Sequence, residues 1–312
     1  PGLSAFRGDG NGGGGSGNGT AGRGSGQRVT TFADLLKRIH DEVPAIRRLR
    51  FVTSYPRHFG DDALQAMAES PRICRYLHVP AQSGSNAVLK RMNRGYTREE
   101  YLEFIERAVH FMPDVSIAGD IIVGFSGETD EDFEETKSLL RAVPFKNNFI
   151  FKYSPRPGTA AFDRLPDDVP EEVKRARNNE LLALQAEISA RVHERWVGRE
   201  VEVFVEQVSA KSAARIGNVE LGWARPRIQL SGRTGGDLIT VFEVEGEAGA
   251  QRLIGTMQRV RVSEAGPLLL RAERSTVPAS AVDVDKSEKR DGGRPDSVRS
   301  VDMKGSKSFG AG

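Results

Sequence analysis

Cysteine is all but missing from this chain: Cys74 stands alone among 312 residues. No disulfide can form within it, which fits a reducing compartment. Histidine is scarce as well. His40, His58, His78, His110 and His193 are the full set, and none falls at metal-ligand spacing. Long apolar runs are absent; nothing approaches the roughly 18 residues of a membrane span. No basic-then-apolar leader opens the chain. The expectation is a cytoplasmic protein with no membrane contact. An excess of one charge sign is lacking too. Lys plus Arg number 45 and Asp plus Glu 43, a net charge of +2, so a polyanionic partner would need a local basic patch. The first residue is Pro1, not Met, and the expectation is a processed chain or a piece of a longer one.

What is present divides into five stretches. Residues 1–30 are rich in Gly, Ser and Asn and cannot bury enough apolar surface to offset their ordering entropy. They read as a flexible segment. A phosphate-binding glycine loop would need a preceding strand, and none precedes. Residues 31–165 alternate helix and strand. Helices are expected at 31–43, 61–70, 84–92, 97–112 and 129–143, with capping-box starts at Thr97–Glu100 and Thr129–Asp132. Strands are expected at 48–54, 75–81, 115–125 and 147–154. The run at 115–125 is almost continuously apolar, as for a strand covered on both faces. Such alternation predicts parallel strands with helical crossovers, an open α/β sheet or part of a barrel.

Residues 166–197 contain one long amphipathic helix, with Pro170 near its first turn and Leu181, Leu184, Ile188 and Val192 on one face. Residues 198–273 switch to short alternating strands with Gly-containing turns, the pattern of a small antiparallel barrel. Residues 274–312 turn polar and read as a disordered tail. No internal repeat is visible.

Ligands of parallel α/β folds sit beyond the carboxyl ends of the strands. Those ends read TSYPRHF (53–59), HVPAQSGS (78–85), GDIIVGFSGET (119–129) and YSPRPGT (153–159). The last three, together with KRMNRGYTREEY and in this order, resemble the radical-SAM methylthiotransferases. The resemblance runs from about Phe32 to Glu273. Near the start, SAFRG is also similar to a segment of that family, which makes the Gly-rich stretch an insertion. The terminal barrel is similar to the family's TRAM domain.

The resemblance implies a fold: a partial radical-SAM, TIM-like α/β barrel followed by a small all-β, OB-like TRAM barrel. It implies an activity, addition of a methylthio group to C2 of N6-dimethylallyladenosine in tRNA. Siblings in the family act on threonylcarbamoyl-adenosine or a ribosomal protein, and a non-catalytic tRNA-binding module is a further alternative. It implies S-adenosyl-L-methionine as cofactor, tRNA as partner, an electron donor, and two [4Fe–4S] clusters. Those clusters need several soft thiolates each. One cysteine cannot hold either, so their ligands are expected upstream of Pro1, and this chain alone is expected to be inactive. A degenerate paralogue is the other explanation. Cys74 itself reads as a small buried hydrophobe.

Site residues follow from the same resemblance. Gln82 and Ser83 are expected to hydrogen-bond S-adenosylmethionine. Asp120, inside an apolar strand, needs a partner, either in a ligand or in a neighbouring Arg or backbone N–H. Gly124 and Gly127 allow a close approach to an adenine, and Glu128 either ligates nearby or caps a turn. Arg156, held between two prolines, is aimed at the site. Arg233 and Thr234, in a Gly-bounded turn, meet tRNA phosphate or solvent. His78 reads as a satisfied core histidine. No metal ligand is expected within the chain.

Overall fold

The structure, a computed structural model, describes residues 30–52, 55–209 and 227–274. The glycine-rich segment up to residue 29 and the tail beyond Arg274 lie outside the described residues. The described residues belong to one compact unit ending at Arg274.

Three parallel strands, β1 (Tyr76–His78), β2 (Ser116–Val123) and β3 (Phe145–Lys152), form a sheet in chain order. Helices α1 (Phe32–Glu42), α2 (Asp61–Glu69), α3 (Asn86–Arg91), α4 (Arg98–Phe111) and α5 (Asp130–Ala142) precede or cross over between them. Both expected capping boxes form, and Thr31–Asp34 makes a third at the start of α1. Each closes two backbone donors that the first helical turn leaves orphaned. One sheet face carries Leu77, Ile117, Ile121, Val123 and Phe145 into a core shared with Tyr101, Phe104, Leu139 and Leu140 of α4 and α5.

The expected strand over 48–54 is reduced to an isolated parallel bridge between Leu49 and Ile73. Two hydrogen bonds hold it, Leu49 N–H to Arg72 O (2.7 Å) and Cys74 N–H to Leu49 O (2.9 Å). Beyond it the chain leaves the sheet, because Phe51 packs edge-on against Phe32 at 5.1 Å and stacks with Phe59 at 5.9 Å. Residues 53 and 54 lie outside the description. A three-residue turn of 3₁₀ helix, Pro56–His58, follows. Cys74 is buried, as expected.

Two short helices escape the sequence pattern. One is α6 (Ala160–Arg164), capped by the Thr159 hydroxyl. The long helix α7 (Glu171–Glu194) takes Pro170 as its N-cap. It does more than link: Leu181, Ile188 and Val192 join the core of the sheet. Strands β4 (Glu200–Val208), β5 (Arg227–Thr234), β6 (Ile239–Glu245), β7 (Met257–Ala265) and β8 (Leu270–Arg274) close a barrel in the order β4-β5-β6-β8-β7. Between β6 and β7 lies the other unexpected helix, α8 (Glu247–Leu253). Val203, Val205, Leu230, Phe242, Val260 and Val262 fill the barrel interior. Among the described residues no helix is long and apolar enough to cross a membrane.

Candidate functional site

The three sheet strands run the same way, so the loops after them gather at one edge. The first loop, 79–85, is held from below. Tyr101 donates its hydroxyl to Val79 O (2.9 Å), and Tyr96 donates to Pro80 O (2.9 Å). Gln82 sits at φ 67°, a left-handed conformation that costs a side-chain-bearing residue about 1–2 kcal/mol. Its backbone is pinned on both sides: its N–H donates to Asp120 O (2.7 Å), and its carbonyl accepts from Ile122 N–H (2.9 Å). Held strain of this kind marks functional loops. Gln82 is 7% exposed, and its amide makes no hydrogen bond to the described residues. Ser83 is fully buried as well and lies 3.3 Å from the Thr136 hydroxyl. Gly84 presses on α5 so closely that a Cβ there would meet Glu135 O and Thr136 Cα at 2.5 Å.

The second sheet face is not covered along its whole length, against the expectation for 115–125. Asp120 and Ile122 stay partly exposed, and Phe149 and Phe151 of the neighbouring strand are half-exposed. Here Asp120 finds its partner. His78 Nε2 lies 3.2 Å from Asp120 Oδ2, and the His78 ring is 6.1 Å from that of Phe149. So His78 is a member of the open face and not a core histidine. Nothing in a single sequence announces this pair, since it depends on the register that sets His78 beside Ala118 across the sheet.

The second loop closes on itself. Gly124, at φ 71°, donates its N–H to Glu128 Oε2 (2.6 Å), and a Cβ on it would lie 2.3 Å from Lys174 Cγ. Glu128 Oε2 also accepts from Arg177 of α7 (2.8 Å). The Glu128 side chain has no exposed surface. Burial pushes its carboxyl up, with the Gly124 N–H and Arg177 opposing. Gly127 donates to Asp168 (2.8 Å) and accepts from Arg91 (3.0 Å). In the third loop Arg156 is exposed, and its guanidinium makes no ion pair or hydrogen bond among the described residues.

Of the six residues expected to face a cofactor, Gln82, Asp120 and Arg156 keep polar groups available. Ser83, Gly124 and Glu128 are occupied in holding the loops against α5 and α7.

Arg233 and Thr234 are not in a turn. They are the last residues of β5, and the turn follows them. The Thr234 hydroxyl is buried and accepts from Leu238 N–H (3.1 Å), so it does not meet solvent as expected. Arg233 donates to Asp237 (3.0 Å). Asp237 also takes Arg50 (2.6 Å) and Lys146 (2.6 Å), and Lys146 lies over the Tyr76 ring at 5.0 Å. This knot fastens the barrel to the lower end of the open sheet face. Burial alone would raise the Asp237 carboxyl, but Lys146, Arg50 and Arg233 hold it below its ordinary value. Sequence reasoning placed none of Arg48, Arg50, Lys146 or Asp237 here.

Iron–sulfur clusters do not fit the residues present. Cys74 is single and buried, and no group of three or more His, Cys, Asp or Glu is placed to hold a metal among the described residues.

The radical SAM superfamily model matches residues 22–140. The tRNA-2-methylthio-N(6)-dimethylallyladenosine synthase of Rhodopirellula baltica is 45% identical over 235 residues, covering 75% of this chain and 47% of that protein. The protein of the same name from Phocaeicola vulgatus is 43% identical over 245 residues, covering 78% of this chain and 49% of its own. Over these spans the chain is similar to the radical-SAM methylthiotransferases. It spans about half the length of the curated relatives it matches. Its sheet and crossover helices are accordingly a radical-SAM α/β fold. Among solved structures, coproporphyrinogen III oxidase of Escherichia coli, a radical SAM enzyme, aligns at TM-score 0.38 and 20% identity over 45% of this chain and 32% of that one. That likeness is too slight to bear on the details of the fold.

Proposed function

We propose that this chain is the cofactor- and substrate-facing portion of a tRNA methylthiotransferase. The reaction is addition of a methylthio group to C2 of N6-dimethylallyladenosine in tRNA. The observation that carries this reading is 45% identity sustained over 235 residues with a synthase of that name. The geometry agrees with it. A strained Gln82 whose amide has no partner among the described residues, and the His78–Asp120 pair, lie together toward the carboxyl end of the sheet.

S-adenosylmethionine, when bound, is the source of the methyl group. Gln82 is the residue best disposed to hold its polar groups, with Asp120 for a hydroxyl and Arg156 for a carboxylate or phosphate. The chain's part is to orient and enclose. Glu128 and Arg177 fix the second loop, and the hydrogen bond from His78 fixes the Asp120 carboxylate. The [4Fe–4S] clusters require thiolates from outside these residues, and the enzyme requires an electron donor. The closed barrel of β4 to β8 is read as a TRAM, OB-like domain that contacts tRNA in the cytoplasm.

The test is nucleoside mass spectrometry of tRNA from a strain lacking the gene. Loss of the 2-methylthio form with build-up of N6-dimethylallyladenosine is the expected result. Loss of the methylthio form of threonylcarbamoyl-adenosine would assign the sibling reaction instead, and unchanged tRNA would reject the activity.

A further inference from the structure

Strand β4 breaks its own pattern at one place. Val201, Val203 and Val205 point into the barrel, and Glu202 and Glu206 point outward. Phe204 also points outward, 39% exposed, where the alternation calls for a polar residue. Its register partner on the next strand is Arg233. Both line a cleft of about 720 Å³ whose opposite wall is the Arg47–Arg50 segment.

The arginines there are pre-set. Arg48 donates to the carbonyls of Arg233 and Glu202, each at 2.6 Å, and its nearest carboxylate oxygen, on Glu202, is 3.7 Å away. Arg50 is held by Asp237 and by Thr234 O. Each of these guanidiniums keeps further N–H donors unspent, since it carries five. Arg47 is exposed, with no ion pair or hydrogen bond among the described residues. With Lys146 behind them, these cations outnumber the facing carboxylates Glu202, Glu206 and Asp237. A net charge of only +2 over the whole chain makes that a local concentration.

We infer that this cleft is a nucleic-acid site built jointly by the Arg47–Arg50 segment and the barrel: RNA backbone phosphate lies between Arg47 and Arg233, and a base stacks on Phe204. Guanidiniums beside an exposed aromatic ring suit a phosphodiester chain with planar bases. An acidic peptide would use the arginines but leave Phe204 idle. The inference rests on the tRNA reading above and gives it a location that includes the α/β part of the chain, not the barrel alone.

The experiment is fluorescence anisotropy of the 312-residue chain with a labelled RNA stem-loop of anticodon-arm size, titrated across salt. Arg47→Gln, in an exposed segment with no bonds to lose, is expected to weaken binding about three- to tenfold and to flatten the salt slope by about one. Phe204→Thr is expected to weaken binding about five- to 150-fold with the slope unchanged. Arg227→Gln, on the same barrel but outside the cleft, is expected to change neither. RNA binding that ignores both cleft substitutions, or suffers equally from Arg227→Gln, overturns the cleft and leaves the tRNA reading standing. Competition by polyglutamate as effective as that by RNA overturns it in favour of an acidic polypeptide. Failure of the unsubstituted chain to bind the RNA at all overturns the cleft and counts against the tRNA reading too.

Discussion

Lys146 donates to Asp237 twice, to the carboxylate and to the backbone carbonyl, each at 2.6 Å. The lysine comes from a strand of the parallel sheet and the aspartate from a turn of the barrel, so one ammonium group ties the two folds together. Both side chains are nearly buried. Removing one partner of such a pair strands the other charge, at a cost of about 3–5 kcal/mol. Asp237→Ala is expected to lose that much stability in urea melts. Asp237→Asn is expected to lose less, because asparagine tolerates the left-handed backbone at φ 60°.

Acid should act through the same residue. The folded Asp237 carboxyl lies below its ordinary 3.8. Its contribution is therefore complete above 3.8 and is lost as pH falls through the folded value. Melts from pH 5 to pH 2 are expected to show a steeper decline for the unsubstituted chain than for Asp237→Asn; equal slopes would show that the ring of cations leaves this carboxyl unaffected.

A second pH effect comes from α7. His193 donates from Nδ1 to Gly266 O (2.7 Å), and its Nε2 is buried without a partner among the described residues. Burial holds the imidazole below its ordinary 6.5. Stability is thus full above 6.5 and falls with pH toward the folded value, as the unfolded chain takes up a proton that the folded one resists. Thermal melts between pH 7.5 and pH 5 are expected to record this fall, and His193→Gln should remove it.

The buried pair of Glu128 and Arg177 should behave as a brace. Arg177→Ala leaves a fully enclosed carboxylate and is expected to cost about 3–5 kcal/mol in chemical denaturation. Amide exchange in the 124–129 loop should rise in the same variant. An unchanged exchange rate would mean that the ion pair does not hold the loop.

Two loop residues should move stability in opposite directions. Gly84→Ala drives a methyl group into the α5 backbone and is expected to cost about 1–3 kcal/mol, measured by urea unfolding. Gln82→Gly relieves a left-handed side chain and is expected to gain up to about 1 kcal/mol. Under the proposed function that gain should come with weaker S-adenosylmethionine binding, read by calorimetry. A stabilised variant with unaltered binding would remove Gln82 from the site.

Much of the fold was legible because it is locally written. Capping boxes at Thr97 and Thr129, and the apolar run of β2, declare their elements within a few residues. The losses came where long-range packing decides. Leu49 sits in a strand-like sequence, but Phe51 prefers the rings of Phe32 and Phe59 to the sheet. The helices α6 and α8 are too short to show a periodicity. Within the site, the loops were found from chemistry alone, yet Asp120 pairs with a histidine 42 residues away, a contact that only strand register creates. Phe204 was hidden for a simpler reason: amid valines it looks like one more interior residue.

The uncovered sheet face has a practical outcome. Phe149 and Phe151 lie nearly parallel, 6.5 Å apart, on a strand that pairs with no further strand among the described residues and whose carbonyls at Lys146 and Ile150 are taken by Ser189 and Asn178 of α7. Handled at high concentration, such a strip behaves as an adhesive. The apparent molar mass from light scattering should rise with protein concentration, and Phe149→Lys should hold it at the monomer value.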